Sequence, residues 1–198
     1  MSPPEPRGPR GKLATRRMAL SRRDALSVEE RAAASVAICD AANALLAERV
    51  QAGAVVALYA AKGSEVDTSR IDAAARRAGL VVVYPRVIEE ARTLAFHAVT
   101  VDELAPTRFG LREPSADAAA VAVEDVAVFA VPGLAFDRAG WRIGWGRGHY
   151  DATFAVASPA AIRMGLAFEC QLIEHVVREP HDVALHLLVT EVTTYVVG

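Results

Sequence analysis

Gly144, Gly146 and Gly148 stand at alternate positions between Arg142 and Asp151, with Arg147 set among them. Glycines so spaced let the backbone turn with positive φ and bring its N–H groups against an anion with no Cβ in the way. The segment HYDATFA, residues 149–155, then reads as a helix whose positive dipole end would join the same cradle. Phosphate suits that shape, although a G-x-G-x-G by itself also describes a tight turn between a strand and a helix. The segment is not a Walker loop, which needs G-x-x-x-x-G-K-[ST], and it lacks the G-x-G-x-x-G spacing of a dinucleotide fold. Asp151 favours the phosphate reading. A carboxylate beside a phosphate repels it unless a cation lies between them, and magnesium takes one or two carboxylates together with phosphate oxygens.

A second set of charges lies near the start. Lys12 and Arg16 are four residues apart, on one face of a helix, and can both reach a triphosphate; they read equally as a solvated helix end. Cys39 and Cys170 stand alone, with no C-x-x-C and no Cys/His cluster, which excludes a zinc motif and a disulfide framework and leaves them as small core residues. His97, His175, His181 and His186 share no ligand spacing and read as loop or surface residues. There is no Ser/His/Asp or Cys/His signature of a nucleophilic enzyme.

These groups need a scaffold to bring them together. Lys12–Ser21 and Val28–Arg49 are rich in Ala, Leu, Arg and Glu and predict two helices; the second is opened by a capping box of Ser27 with Glu30, after a break near Ser21–Leu26. Prolines and glycines up to Gly11 suggest a loose tail. Beyond Gly53 come short apolar runs at 54–59, 80–84, 126–131 and 164–168, the pattern of parallel strands buried on both faces. An Ala-rich helix within 67–78 joins the first two into a βαβ unit. Residues 114–124 read as an exposed connection. The expectation is one α/β domain, residues 12–198, with a mostly parallel central sheet flanked by helices, a glycine-rich phosphate-binding loop, and a flexible tail at residues 1–11.

Composition limits the partners. The chain has 198 residues, 53% of them hydrophobic, enough for one continuous core. A net charge of −2 offers no global attraction to nucleic acid or to an anionic membrane, so small molecules are the expected partners. No apolar run approaches the ~20 residues of a membrane span. The opening carries no apolar stretch of a signal peptide, and Pro3, Pro4 and Pro6 hinder the amphipathic helix of a transit peptide. A cytoplasmic location is expected.

Seven motifs in order give the sequence a family resemblance. They are K-x-x-x-R at Lys12–Arg16, SEVDT at Ser64–Thr68, YPRV at Tyr84–Val87, PGLAFD at Pro132–Asp137, GWRIGWGRGHYD at Gly140–Asp151, GLAFECQ at Gly165–Gln171 and EPHD at Glu179–Asp182. Carrying these, the chain resembles the 5-formyltetrahydrofolate cyclo-ligase family from Lys12 to about Glu191. The resemblance implies that Lys12, Arg16, Arg142, Gly144, Gly146, Arg147, Gly148, His149 and Tyr150 hold ATP, and that Asp151 and Asp182 hold Mg2+. It assigns Glu65 to the folate, which suits a carboxylate able to accept paired N–H bonds from the pterin edge. Tyr59, Trp145, Arg147 and His149 complete the substrate set; Tyr59 reads also as packing, and Trp145, at a variable position, is open to stacking or packing. One departure concerns His149. The family loop commonly reads G-x-G-x-G-Y-Y-D, and histidine stands here in place of the first tyrosine, beside the folate.

The implied reaction is ATP- and Mg2+-dependent closure of 5-formyltetrahydrofolate to 5,10-methenyltetrahydrofolate through a phosphorylated formyl group. The alternative is a non-catalytic cyclo-ligase-like domain that binds a folate or nucleotide. Retention of both candidate metal carboxylates speaks against that alternative.

Overall fold

The computed structural model of the chain describes residues 9–107 and 110–197. Its elements in order are α1 (Pro9–Asp24), α2 (Val28–Arg49), β1 (Val55–Ala57), α3 (Ser69–Arg77), β2 (Val81–Ile88) and β3 (Thr93–His97). The short strands β4 (Ala105–Pro106), β5 (Arg112–Glu113) and β6 (Ala120–Val121) follow, then β7 (Val126–Val131), β8 (Ala135–Phe136) and β9 (Arg142–Ile143). The last elements are α4 (His149–Phe154), β10 (Ile162–Leu166), β11 (Leu187–Val189) and β12 (Thr194–Val196).

One eight-stranded sheet runs in the order β12-β11-β10-β7-β1-β2-β3-β6. Its five central strands, from β11 to β2, are parallel, and antiparallel strands close both edges. The mostly parallel sheet follows from the expected apolar runs. In β7 the sequence VAVFAV sends Val128 and Ala130 to one face and Phe129 and Val131 to the other, so the strand is buried on both sides. One face packs on α2 and α3 through Ile38, Ala42, Ile71 and Ala75; the other packs on α4 through Phe154, against Phe129 at a ring-centroid distance of 5.4 Å. The βαβ unit of β1, α3 and β2 is present with parallel register Val55↔Val81.

Several boundaries differ from the sequence reading. Helix α1 starts at Pro9, so the last three residues assigned to the tail are helical; a proline with φ already fixed near the helical value suits a first turn. The rest of that tail, residues 1–8, lies outside the described residues. Helix α1 also continues to Asp24, which narrows the break to 25–27, and Ser27 then caps α2 with the expected Glu30 box. Strand β2 continues through Pro85 to Ile88 because, beyond Val83, it pairs on one side only, with β3, where a missing N–H is tolerated. In the main sheet, the parallel strand β11 and the antiparallel strands β3, β6 and β12 were not foreseen.

The cap gives a direct test of local stability. Ser27→Ala removes the bond from the Glu30 N–H to Ser27 Oγ, 3.1 Å long, and is expected to cost about 1 kcal/mol. Urea unfolding should show a lower midpoint with an unchanged m-value.

Candidate active site

Strand order reverses next to β1. The chain passes from β1 through α3 to β2 on one side, while β7 lies on the other. At such a switch point the loops leaving the carboxyl ends of neighbouring strands diverge, and the crevice between them is where open α/β sheets bind ligands. A cavity of about 1000 Å³ opens there. Tyr59 and Glu65 enter it from beyond β1, Pro132 and Gly133 from beyond β7, and Pro85–Glu90 from the outer half of β2. All fourteen residues singled out from the sequence line this one cavity.

The glycine segment spans β9 and the start of α4. Two of its three glycines are required by the backbone. Gly146 has φ +90° and Gly148, the N-cap of α4, has φ +72°. Gly146 is doubly constrained, because a Cβ there would lie 2.8 Å from the Arg16 guanidinium. Gly144 has no positive φ and open space where a Cβ would go; its contribution is a carbonyl that accepts a 2.8 Å bond from Arg16 Nε. The helix that follows is only six residues long, so the dipole expected at its N-terminus is small.

Helix α1 lies across this loop and fastens it. While Arg16 holds Gly144, Lys12 sends its ammonium to Asp182 Oδ2 at 3.1 Å and to Glu179 Oε2 at 3.0 Å. Asp182 Oδ2 also accepts the Glu179 N–H. The second candidate metal carboxylate is paired as well: Asp151 Oδ1 takes Arg142 Nη2 at 3.1 Å and the Val183 N–H at 3.0 Å. Arg142 in turn donates Nη1 to the Val183 carbonyl. Each acid is thus neutralised by a cation that the family resemblance assigns to ATP. The donor set fits a hard divalent ion: Asp151 and Asp182 offer carboxylate oxygens to one cavity, and Glu179, His181 and Asp182 each bring a ligand atom within 4.8 Å of the others. His181, read from the sequence as an ordinary loop residue, therefore belongs to the cavity wall.

The folate-assigned residues lie at the other end. Burial pushes the Glu65 carboxyl above its ordinary range, opposed by the Lys62 N–H bonded to Oε2 at 3.0 Å, by Arg23 and by the Trp145 side chain. Tyr59 is buried, its hydroxyl donating to the Val66 carbonyl and held protonated first by burial and then by Glu65. Tyr150 is raised in the same way. Trp145, by contrast, is 54% exposed, with Lys62 Nζ 5.4 Å from its ring centroid. A large exposed indole inside a cavity offers a stacking face. The sequence reading gave no role to Lys62 and Arg86 on the wall or to Arg23 beneath it; Arg86 stood inside the quoted YPRV motif on β2, whereas Lys62 and Arg23 are single basic residues that carry no pattern.

The fold and cavity define an α/β domain with a mostly parallel central sheet, whose switch-point crevice is lined by a glycine-rich segment and by the carboxylates of Asp151 and Asp182. The chain belongs to the 5-formyltetrahydrofolate cyclo-ligase family, whose model matches residues 9–191. It is 31% identical over 141 residues to the 5-formyltetrahydrofolate cyclo-ligase of Escherichia coli K12, a match spanning 68% of this chain and 76% of that one. The cyclo-ligase of Mycolicibacterium smegmatis is 39% identical over 87 residues, 43% of this chain, and the match spans 45% of that relative's length. Among solved structures, the 5,10-methenyltetrahydrofolate synthetase of Aquifex aeolicus superposes with a TM-score of 0.78 at 27% identity, covering 94% of this chain and 92% of the other. That of Mycoplasma pneumoniae shares the fold, with a TM-score of 0.75 at 22% identity over 91% and 98% of the two chains.

His149 sits on the cavity wall at the first position of α4. Burial, then the neighbouring Arg147 and Arg92, pull its imidazole below the ordinary value of 6.5. Because the folded state resists protonation more than the unfolded one, His149 subtracts stability as pH falls below the unfolded value of ~6.5. An NMR titration should find the His149 midpoint below that of an exposed histidine, and Arg147→Gln should move it up towards the ordinary value.

Proposed function

We propose that the chain closes 5-formyltetrahydrofolate to 5,10-methenyltetrahydrofolate, with ATP as co-substrate and Mg2+ as cofactor. The observation that carries this reading is the convergence of residues from separate motifs, Lys12, Glu65, Asp151 and Asp182 among them, on one cavity at the sheet's switch point. In a chain of this family, the glycine loop with Lys12, Arg16, Arg142, Arg147 and Tyr150 would hold the triphosphate, and Asp151 and Asp182 the metal. Glu65, Tyr59, Trp145 and His149 would hold the folate. A cytoplasmic setting belongs to the same proposal; among the described residues no helix is long and apolar enough to cross a membrane.

The chemistry needs activation of an amide-like oxygen, which is a very poor leaving group. The formyl oxygen attacks the γ-phosphorus, the bond to the bridging oxygen breaks and ADP leaves, giving an iminium phosphate. N10 then attacks the formyl carbon, and phosphate departs with the former formyl oxygen as the N10 proton is lost. No protein nucleophile is required. Bound Mg2+ would supply charge neutralisation at the transferred phosphoryl group. The chain's own part is positioning and electrostatics: Arg142 and Lys12 can turn from their carboxylates to phosphate oxygens, while Glu65, ionised, accepts the pterin N–H groups. Buried Glu65 resists ionisation, so folate affinity should weaken as pH falls into its raised titration range.

The decisive measurement is methenyltetrahydrofolate absorbance when the protein is mixed with 5-formyltetrahydrofolate, ATP and Mg2+, after subtraction of non-enzymatic closure. Product should require both ATP and metal; equal formation without ATP, or none at saturating ligands, rejects the reading. Asp151→Asn and Asp182→Asn should each lower Mg2+-dependent turnover more than about tenfold, a loss of about 1.4 kcal/mol of transition-state stabilisation. The circular-dichroism spectrum should stay unchanged. His149→Tyr tests the departure from the family loop. The wild-type rate should fall on an acid limb below the ordinary histidine value, since a neutral imidazole suits the cationic intermediate better than a protonated one. The tyrosine variant should lose that limb and change folate KM or kcat while KM for ATP stays nearly constant; superimposable profiles would separate His149 from the reaction.

A further inference from the structure

We infer that Arg23 is a positioning residue for the folate end of the cavity, fixing the Ser64–Glu65 turn and the Gly133 carbonyl against the last turn of α1. The inference rests on the placement of the folate beside Glu65 proposed above. Arg23 falls in the break that the sequence suggests near Ser21–Leu26, yet it stands in the last turn of α1 with its side chain turned inward and 2% exposed. Its Nε donates to Ser64 Oγ at 2.9 Å, and its Nη1 reaches the Gly133 carbonyl at 3.4 Å. Ser64 Oγ passes its own proton on to Asp24 Oδ1. The Gly133 carbonyl also accepts Gln171 Nε2 at 2.9 Å, and Gln171 further holds the Leu134 carbonyl and the Phe168 N–H. Three segments that wall or support the cavity, at 64–65, 133–134 and 168–171, thus meet on two buried polar side chains.

A purely structural role explains this arrangement poorly. Among the described residues Arg23 forms no ion pair. Burying a guanidinium without a carboxylate in contact is costly, and an apolar side chain of similar length would fill the space without that cost. What the charge supplies is orientation and field. Glu65 follows the Arg23-bonded Ser64 directly, and its carboxylate is desolvated at the cavity. The groups that face it are Arg23 from α1, Lys62 from its own loop, Trp145 from the glycine segment, and the neutral hydroxyls of Tyr59 and Tyr150. Arg23, Lys62 and Trp145 oppose the push of burial. Arg23 acts from below, on the side away from the cavity wall.

The test uses Arg23→Met, Arg23→Lys and Ser64→Ala in the full chain. Arg23→Met should raise KM for 5-formyltetrahydrofolate about tenfold, with KM for ATP within about twofold, and Arg23→Lys should recover most of the loss. The acid limb of folate binding should move to higher pH by about half a unit or more in Arg23→Met, because Glu65 protonates more readily without the nearby charge. Ser64→Ala keeps the charge, so it should raise folate KM without moving the limb. A second readout needs no turnover: Trp145 fluorescence in a Trp141→Phe background reports Glu65 titration through the bond between them, and its midpoint should rise in Arg23→Met. Parallel changes in folate and ATP constants, or a fluorescence midpoint equal to that of the parent, would overturn the inference. If Arg23→Met does not fold, wild-type constants in Ser64→Ala overturn it instead. A wild-type chain without turnover rejects the cyclo-ligase reading alone and leaves the fluorescence midpoint to decide Arg23.

Discussion

The site depends on one helix reaching across the chain. Lys12 and Arg16, a turn apart on α1, bond to partners 170 and 128 residues away, one in the EPHD loop and the other in the glycine segment. The EPHD loop has no regular structure of its own, and residues 144–148 of the glycine segment lie between the short strand β9 and α4. Gly146 leaves room for the Arg16 guanidinium, which lies 2.8 Å from where a Cβ would stand. The contact with α1 adds to the ties that the β8–β9 pairing and the Arg142–Asp151 pair give the glycine segment.

Charge balance follows from the same constraint. The cavity carries both signs of charge, and those charges satisfy one another. Arg142, only 6% exposed, lies against Asp151, and Lys12, 11% exposed, lies against Asp182. Removing one partner of such a pair leaves the other desolvated and uncompensated, which costs more than the pair itself contributes. The pairs therefore hold the site in shape while unoccupied.

The group around Glu65 works by different physics. Glu65, Tyr59 and Tyr150 are enclosed by apolar packing beneath the sheet's carboxyl edge, and burial raises all three titrations. Two neutral phenols and one reluctant carboxylate make a pocket whose polarity depends on the few cations beside it. His149, pulled the other way by burial and by Arg147, is neutral near pH 7 and adds no charge there. Two parts of one cavity thus differ: ion pairs around Asp151 and Asp182, desolvated and mostly neutral groups around Glu65.

The sequence by itself determined four of the five parallel strands and singled out residues that line one cavity. Strand β7 was legible because a strand buried on both faces must be apolar throughout, and α2 because Ser27 and Glu30 satisfy its first N–H groups locally. The glycine segment was legible because positive φ at 146 and 148 selects glycine. Only the tertiary structure decided the rest. The antiparallel strands β3, β6 and β12 and the parallel strand β11 are set by pairing with distant residues, which leaves no local period to read. That Gly144 contributes a carbonyl rather than conformational freedom, that His181 joins the cavity wall, and that Arg23 turns inward depend on which segments the sheet brings together. An arginine's side chain is long enough to serve solvent or core, and its sequence neighbours are the same in both cases; the choice is made by the partners that folding places within its reach.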